Sequence, residues 1–201
     1  MDAQRTLILA SRSPRRLQLL RQIGMSPTIM PCDIPEAFDA AKTPEENASS
    51  LALQKAECVA GSVREGVIIG ADTIVVLDGE MLGKPENPRD AVRMLKELSG
   101  RTHTVVTGFA LVERPSGRRM TGTERTEVTF RRLPGAEIEE YVAGGSPLDK
   151  AGAYGIQDDY GAVFVTRIEG CFYNVVGLPL SKFHTALAEF LSGNSLTKEG
   201  R

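Results

Sequence analysis

The chain has 201 residues, 41% of them hydrophobic and 25% charged, and a formal net charge of −2. That length suits a single domain over 1–201, with or without a division into two small lobes about a cleft, and enough core to fold without a disulfide or metal staple. The charge argues against nucleic-acid or membrane binding driven by overall charge, and no stretch approaches the roughly 18 apolar residues of a membrane span. Cys32, Cys58 and Cys171 are odd in number, widely spaced and form no CxxC pair. They read as reduced thiols of a cytoplasmic protein rather than as a disulfide framework or a zinc site. The apolar run after Met1 is too short for a secretory leader and lacks a cleavage pattern.

Leu7-Ile8-Leu9-Ala10 reads as a short buried strand that breaks at Ser11. Ser13 is a good N-cap and Pro14 fits the first helical position, so a helix is expected from Pro14 to about Ile23, closed by Gly24. Arg15 and Arg16 then project from its first turn, where the helix dipole is positive and backbone N–H groups lack partners. Cations oppose that dipole, so local helix stability does not account for them. An anion bound at that end does. The plainer alternative is a strand-to-helix corner with two solvated arginines.

Thr28-Ile29-Met30 suggests a short strand, and Asp33, Glu36 and Asp39 lie in an irregular, proline-bearing segment. Thr43-Pro44-Glu45-Glu46 signals a helix reaching about Val63. Lys55 lies within it and, read by itself, is a solvated helix lysine. Val67 to Leu77 is the most apolar run and reads as a central strand. Asp72 sits in its middle beside Thr73. A carboxylate there costs several kcal/mol unless it is paired, metal-bound or at a break in the ladder, for which Gly70 is a candidate.

Asp78-Gly79 is a two-residue hairpin signal, returning the chain through Glu80-Met81-Leu82 to a loop that Gly83 and Lys84 begin. The hairpin folds Lys84 back toward the level of Asp72 or Thr73. A helix is expected over Pro88 to Ser99. Thr102 to Glu113 and Met120 to Arg131 read as long antiparallel strands about Pro115-Ser116-Gly117. Pro134 to Ala143 reads as a short helix, and Pro147 to Gln157 as a glycine-bearing loop with Lys150. Phe164–Ile168 and Cys171–Val176 suggest a closing hairpin. The last helix starts at Leu178-Pro179 and runs to about Leu191, with a frayed tail after about residue 192.

Arg15, Arg16, Lys55, Lys84 and Lys150, with Asp72 and the acidic segment, fit one chemistry. Carboxylates hold a divalent metal, the cations spread phosphate charge, and a carboxylate orients an attacking water. Phosphoryl chemistry needs little more than such positioning. There is no GxxxxGK[ST] loop, GxGxxG turn or GxSxG elbow. His103 and His184 are solitary, which points to structural or solvent-facing roles.

ASRSPRR, GADTIVVLDGEMLGKP and LDKAGAYGIQ followed by VVGLPL, in that order, resemble the Maf (septum-formation) family of nucleoside triphosphate pyrophosphatases, and the likeness runs from about Leu7 to Leu191. The resemblance implies an α/β fold with a long mixed, twisted sheet flanked by helices and two lobes around a cleft, similar to inosine triphosphate pyrophosphatases. It implies hydrolysis of a nucleoside triphosphate to the monophosphate and pyrophosphate with a divalent cation, Mg²⁺ or Mn²⁺, and it suggests a homodimer. DKAGAYGIQ is similar to the branch acting on dTTP and UTP.

Carried over by motif, the catalytic aspartate falls on Asp72, and the phosphate-contacting positions on Ser13, Arg15, Arg16, Lys55 and Lys84. The two lysines are placed to stabilise charge on pyrophosphate. Specificity positions fall on Arg15, Thr73 and Gln157, whose amide can read the imide edge of uracil or thymine. Glu36 matches an acidic position near the metal, beside Asp72. Arg12 stands where small residues are usual. Two rivals remain: a nucleotide-binding regulatory protein of cell division without significant turnover, and the same enzyme acting on modified nucleotides.

Overall fold

The computed structural model describes residues 5–157 and 160–193, so the expected tail lies outside the described residues from 194 on. In chain order the elements are β1 (Leu7–Leu9), α1 (Pro14–Gln22), β2 (Thr28–Ile29), α2 (Pro44–Ala60), β3 (Gly66–Leu77), β4 (Glu80–Leu82) and α3 (Pro88–Leu98). There follow β5 (Thr102–Arg114), β6 (Arg119–Phe130), α4 (Gly135–Ala143), β7 (Val165–Glu169), α5 (Phe172–Val176) and α6 (Leu180–Ser192). The strands join one mixed sheet in the order β2-β1-β3-β5-β6-β7, with β4 also paired to β3. β1 runs parallel to β2 and β3, and the remaining pairings are antiparallel. This is the mixed α/β class that the sequence predicts.

The helix starts follow from their caps. The Ser13 hydroxyl accepts from the Arg16 N–H, and Asn87 caps α3 by accepting from Asp90. Thr43 and Glu46 form a reciprocal capping box with Pro44 in the first turn. Asp78 and Gly79 both take positive φ, as the tight hairpin between β3 and β4 requires.

Side chains alternate along β3. Ile68, Gly70, Asp72 and Ile74 face α2, while Val67, Ile69, Ala71 and Thr73 face the layer built from α1, α5 and α6. Two glycines bring α2 down onto the sheet. A Cβ at Gly70 would lie 2.0 Å from the Ala52 carbonyl, and one at Gly108 would lie 2.3 Å from the Ala48 backbone. The helix answers with Ala48, Ala52 and Ala56, all fully buried.

Three expectations are corrected. Cys171–Val176 is not the second arm of a hairpin: Phe172–Val176 is helical. An apolar run this short does not distinguish strand from helix. The buried Asn174 side chain decides, donating to the Val105 carbonyl at 3.0 Å and the Thr126 hydroxyl at 2.9 Å and so holding a helical turn against the sheet. The loop expected over Pro147 to Gln157 contains short 3-10 turns at Ser146–Asp149 and Ala151–Ala153. Finally, Cys32 and Cys58 form a disulfide and only Cys171 is a free thiol. Their 26-residue separation hides the fact that the irregular acidic segment folds back against α2, leaving the two Cα atoms 6.3 Å apart.

Candidate active site

β3 pairs with β5 without interruption from Gly66 to Val76. Its other edge is shared: β1 covers Val67–Ile69 and β4 covers Val75–Leu77. Residues 70–74 therefore have no strand beside them on that edge among the described residues. The break foreseen near Asp72 exists, but Gly70 is not its cause. Gly70 pairs normally with Ala110 and serves the close approach of α2. The gap forms part of the lining of a cleft of about 830 Å³, a size suited to a nucleotide-sized ligand.

On the α2 face of the gap lies a chain of alternating charges. Lys55 Nζ donates to Asp72 Oδ1 at 2.5 Å and to Glu36 Oε1 at 2.6 Å. Lys84 Nζ reaches both Glu36 oxygens, at 2.9 and 2.8 Å. Lys55 and Asp72 side chains are each 8% exposed, so neither charge is tenable without the other. Lys55 is thus not the solvated lysine its helix position suggests, because the glycine-alanine contact drives its face of α2 into the sheet. Lys84 does fold back, as the hairpin requires, but it meets Glu36 rather than Asp72. Burial pushes the Glu36 carboxyl up, and hydrogen bonds and charge from Lys55 and Lys84 outweigh that, bringing it down to about 2.

On the opposite face Arg16 is buried rather than projecting into solvent. Its Nε donates to the Gly177 carbonyl at 2.9 Å, Nη1 to the Ser11 hydroxyl at 3.3 Å and Nη2 to the Thr73 hydroxyl at 3.1 Å. Burial lowers its pKa, while the nearby Asp72 carboxylate opposes that. Arg15 Nη1 contacts Asp149 Oδ2 at 3.1 Å, and Lys150 Nζ contacts Asp149 Oδ1 at 2.8 Å. Burial would raise the Asp149 carboxyl, but Lys150 and Arg15 together hold it below the usual range. Arg12 pairs with Asp33, both mostly exposed at the rim.

Ser13, Arg15, Arg16, Glu36, Lys55, Asp72, Thr73, Lys84 and Gln157 all line this one cleft. Gln157 is exposed within it. Two contributors were not singled out from the sequence: the Asp149 carboxylate and the Gly177 carbonyl. Both lie inside the quoted motifs, but a backbone carbonyl leaves no side-chain signature. His103 is structural: it is buried, and its Nε2 lies 2.7 Å from the Tyr154 hydroxyl.

Among the described residues no three His, Cys, Asp or Glu side chains gather as a ready metal cage. Asp72 and Glu36 nonetheless hold one cation, the Lys55 ammonium, between them. Two hard carboxylates suit a divalent ion that takes its remaining ligands from phosphates and water.

A family model described as Maf-like protein matches residues 6–190. A Moorella thermoacetica protein named dTTP/UTP pyrophosphatase is 51% identical over 184 residues, 92% of this chain and 94% of its own. A Dictyoglomus turgidum protein of the same name is 46% identical over 188 residues, covering 93% and 97%. The crystal structure of protein VC0702 from Vibrio cholerae matches with a TM-score of 0.42 and 12% identity, over 94% of this chain and 96% of that one.

Proposed function

The chain belongs to the Maf family, and we propose that it hydrolyses dTTP and UTP to the monophosphate and pyrophosphate. The observation that carries this reading is the convergence of Arg15, Arg16, Lys55 and Lys84 with the carboxylates of Glu36 and Asp72, the latter in the strand gap, on one nucleotide-sized cleft. Relatives named dTTP/UTP pyrophosphatase support the choice of nucleotide.

In this reading the triphosphate enters over the N-terminus of α1. The Ser13 hydroxyl, the positive end of the helix dipole, Arg15 and Arg16 bind its oxygens. Asp72 orients a water toward the α-phosphorus and accepts its proton. The new P–O bond forms as the α–β bridging bond breaks, and the electron pair leaves with pyrophosphate, where Lys55 and Lys84 balance the charge. Asp72 and Glu36 would hold a divalent cation, Mg²⁺ or Mn²⁺, which when bound supplies further charge neutralisation. Gln157 offers one acceptor and two donors to the imide edge of the base. A nucleoside triphosphate substrate supports a cytoplasmic setting for this activity, and no described helix is long and apolar enough to cross a membrane.

The test is a panel of canonical and modified nucleoside triphosphates with Mg²⁺ or Mn²⁺, followed by pyrophosphate release and compared by kcat/KM. dTTP and UTP should lead the canonical set. Tight nucleotide binding without release would reinstate the non-catalytic reading, and a modified pyrimidine far ahead of both would reassign the substrate.

A further inference from the structure

The hydroxyl of Thr73 belongs to a buried relay whose proton order can be read from its far end. Thr107 stands directly opposite Thr73 in the β3–β5 register, and the two hydroxyl oxygens are 2.9 Å apart. Either could donate across that contact. Thr107, however, also lies 2.9 Å from the Asn174 carbonyl, which can only accept. Thr107 has one proton and is fully buried. Were that proton turned toward Thr73, two oxygens would face each other at 2.9 Å without a hydrogen between them, away from water.

The satisfied arrangement therefore runs from Thr73 to Thr107 to the Asn174 carbonyl. Thr73 also accepts from Arg16 Nη2. Its single proton is committed inward and one lone pair is already taken. What remains for the cleft, which Thr73 lines, is one acceptor and no donor. Asn174 is itself held, through its side-chain bonds to Val105 and Thr126, so its carbonyl cannot swing away.

We propose that Thr107 is a positioning residue for base selection: by taking the Thr73 proton it makes Thr73 an obligate acceptor, matched to the N3–H of uracil or thymine and mismatched to the bare N3 of cytosine. This rests on the nucleotide pyrophosphatase reading above. A site built to receive a donor leaves its own polar atom unpaired when the donor is missing, which gives discrimination of roughly tenfold or more.

Thr107→Val keeps the β-branched shape and removes the hydroxyl, and the Asn174 carbonyl retains the Gly177 N–H at 3.1 Å. Thr73 is then free to turn its proton toward the cleft. The experiment compares kcat/KM for UTP and CTP in the wild type, Thr107→Val and Thr107→Ser. The expected result is a UTP-to-CTP ratio that falls about tenfold in Thr107→Val and is restored in Thr107→Ser. An unchanged ratio, or equal losses for both nucleotides, would overturn the proposal, as would a change confined to the UTP-to-dUTP ratio, which would put the lone pair at the sugar. A wild type that releases no pyrophosphate from any triphosphate would sink the hydrolase reading instead. One that hydrolyses UTP without preferring it to CTP would sink only this proposal.

Discussion

The two faces of β3 at the strand gap are built differently. Toward α2, Asp72, Lys55, Glu36 and Lys84 alternate in sign along a chain of ion pairs. Toward α1 and α5, one buried guanidinium is held by hydroxyls and a backbone carbonyl, and Thr73 continues into a neutral relay. Adjacent residues, Asp72 and Thr73, open onto both because side chains alternate along a strand. Ion pairs can exchange partners when a triphosphate arrives, since every member keeps a charge to offer. A buried hydroxyl relay has one satisfied order and resists exchange. The chain of ion pairs is thus suited to chemistry, and the neutral hydroxyl relay to recognition.

That contrast is sharpest at Asp72. Asp72→Asn keeps the side-chain shape, leaves Lys55 its bond to Glu36, and should lower kcat for dTTP at least about a thousandfold. Near-normal pyrophosphate release would break the assignment of chemistry to this face. Lys55→Met should cost about 3–5 kcal/mol in urea unfolding, because it strands a buried carboxylate. Lys84→Met, whose side chain is 49% exposed, should cost under about 1 kcal/mol. Equal costs would show that burial does not separate the two lysines.

His103 serves as a control away from both faces. Burial lowers its pKa from 6.5 to about 4, so between those values the unfolded chain binds more protons than the folded one. Its contribution to stability is complete above pH 6.5 and declines as pH falls toward 4, by about 3 kcal/mol in all. Denaturant unfolding across that window should show this slope, and His103→Gln should flatten it. The Glu36 contribution lies lower, lost as pH falls from about 4.5 toward 2. On the recognition side, Gln157→Ala should reduce the preference for UTP over CTP about tenfold, and a retained preference would remove Gln157 from base reading. The smallest effect is a count. Thiol titration of the unreduced, denatured protein should give one equivalent, from Cys171, and three would deny the Cys32–Cys58 bond.

Much of this was legible in the sequence where the cause is local. Ser13-Pro14, Thr43-Pro44 and Asp78-Gly79 announce caps and a turn through the chemistry of one or two residues, and the elements begin there. Asp72 was conspicuous because a carboxylate conflicts with the apolar run around it. The gap beside it was not legible, since it depends on β1 and β4 sharing one edge of β3. Lys55 looked solvated because its burial is decided by Gly70 and Gly108 on two other elements. The helical turn at Phe172–Val176 and the Cys32–Cys58 bond likewise depend on partners far along the chain.

The reading of the ion-paired face as a hydrolytic centre depends on water attacking the α-phosphorus rather than the β- or γ-phosphorus. Hydrolysis of dTTP in ¹⁸O-labelled water, with the products resolved by mass spectrometry, tests it most directly. Attack at the α-phosphorus gives one ¹⁸O in dTMP and none in the pyrophosphate. Label in pyrophosphate, or in orthophosphate released alongside dTDP, would contradict it.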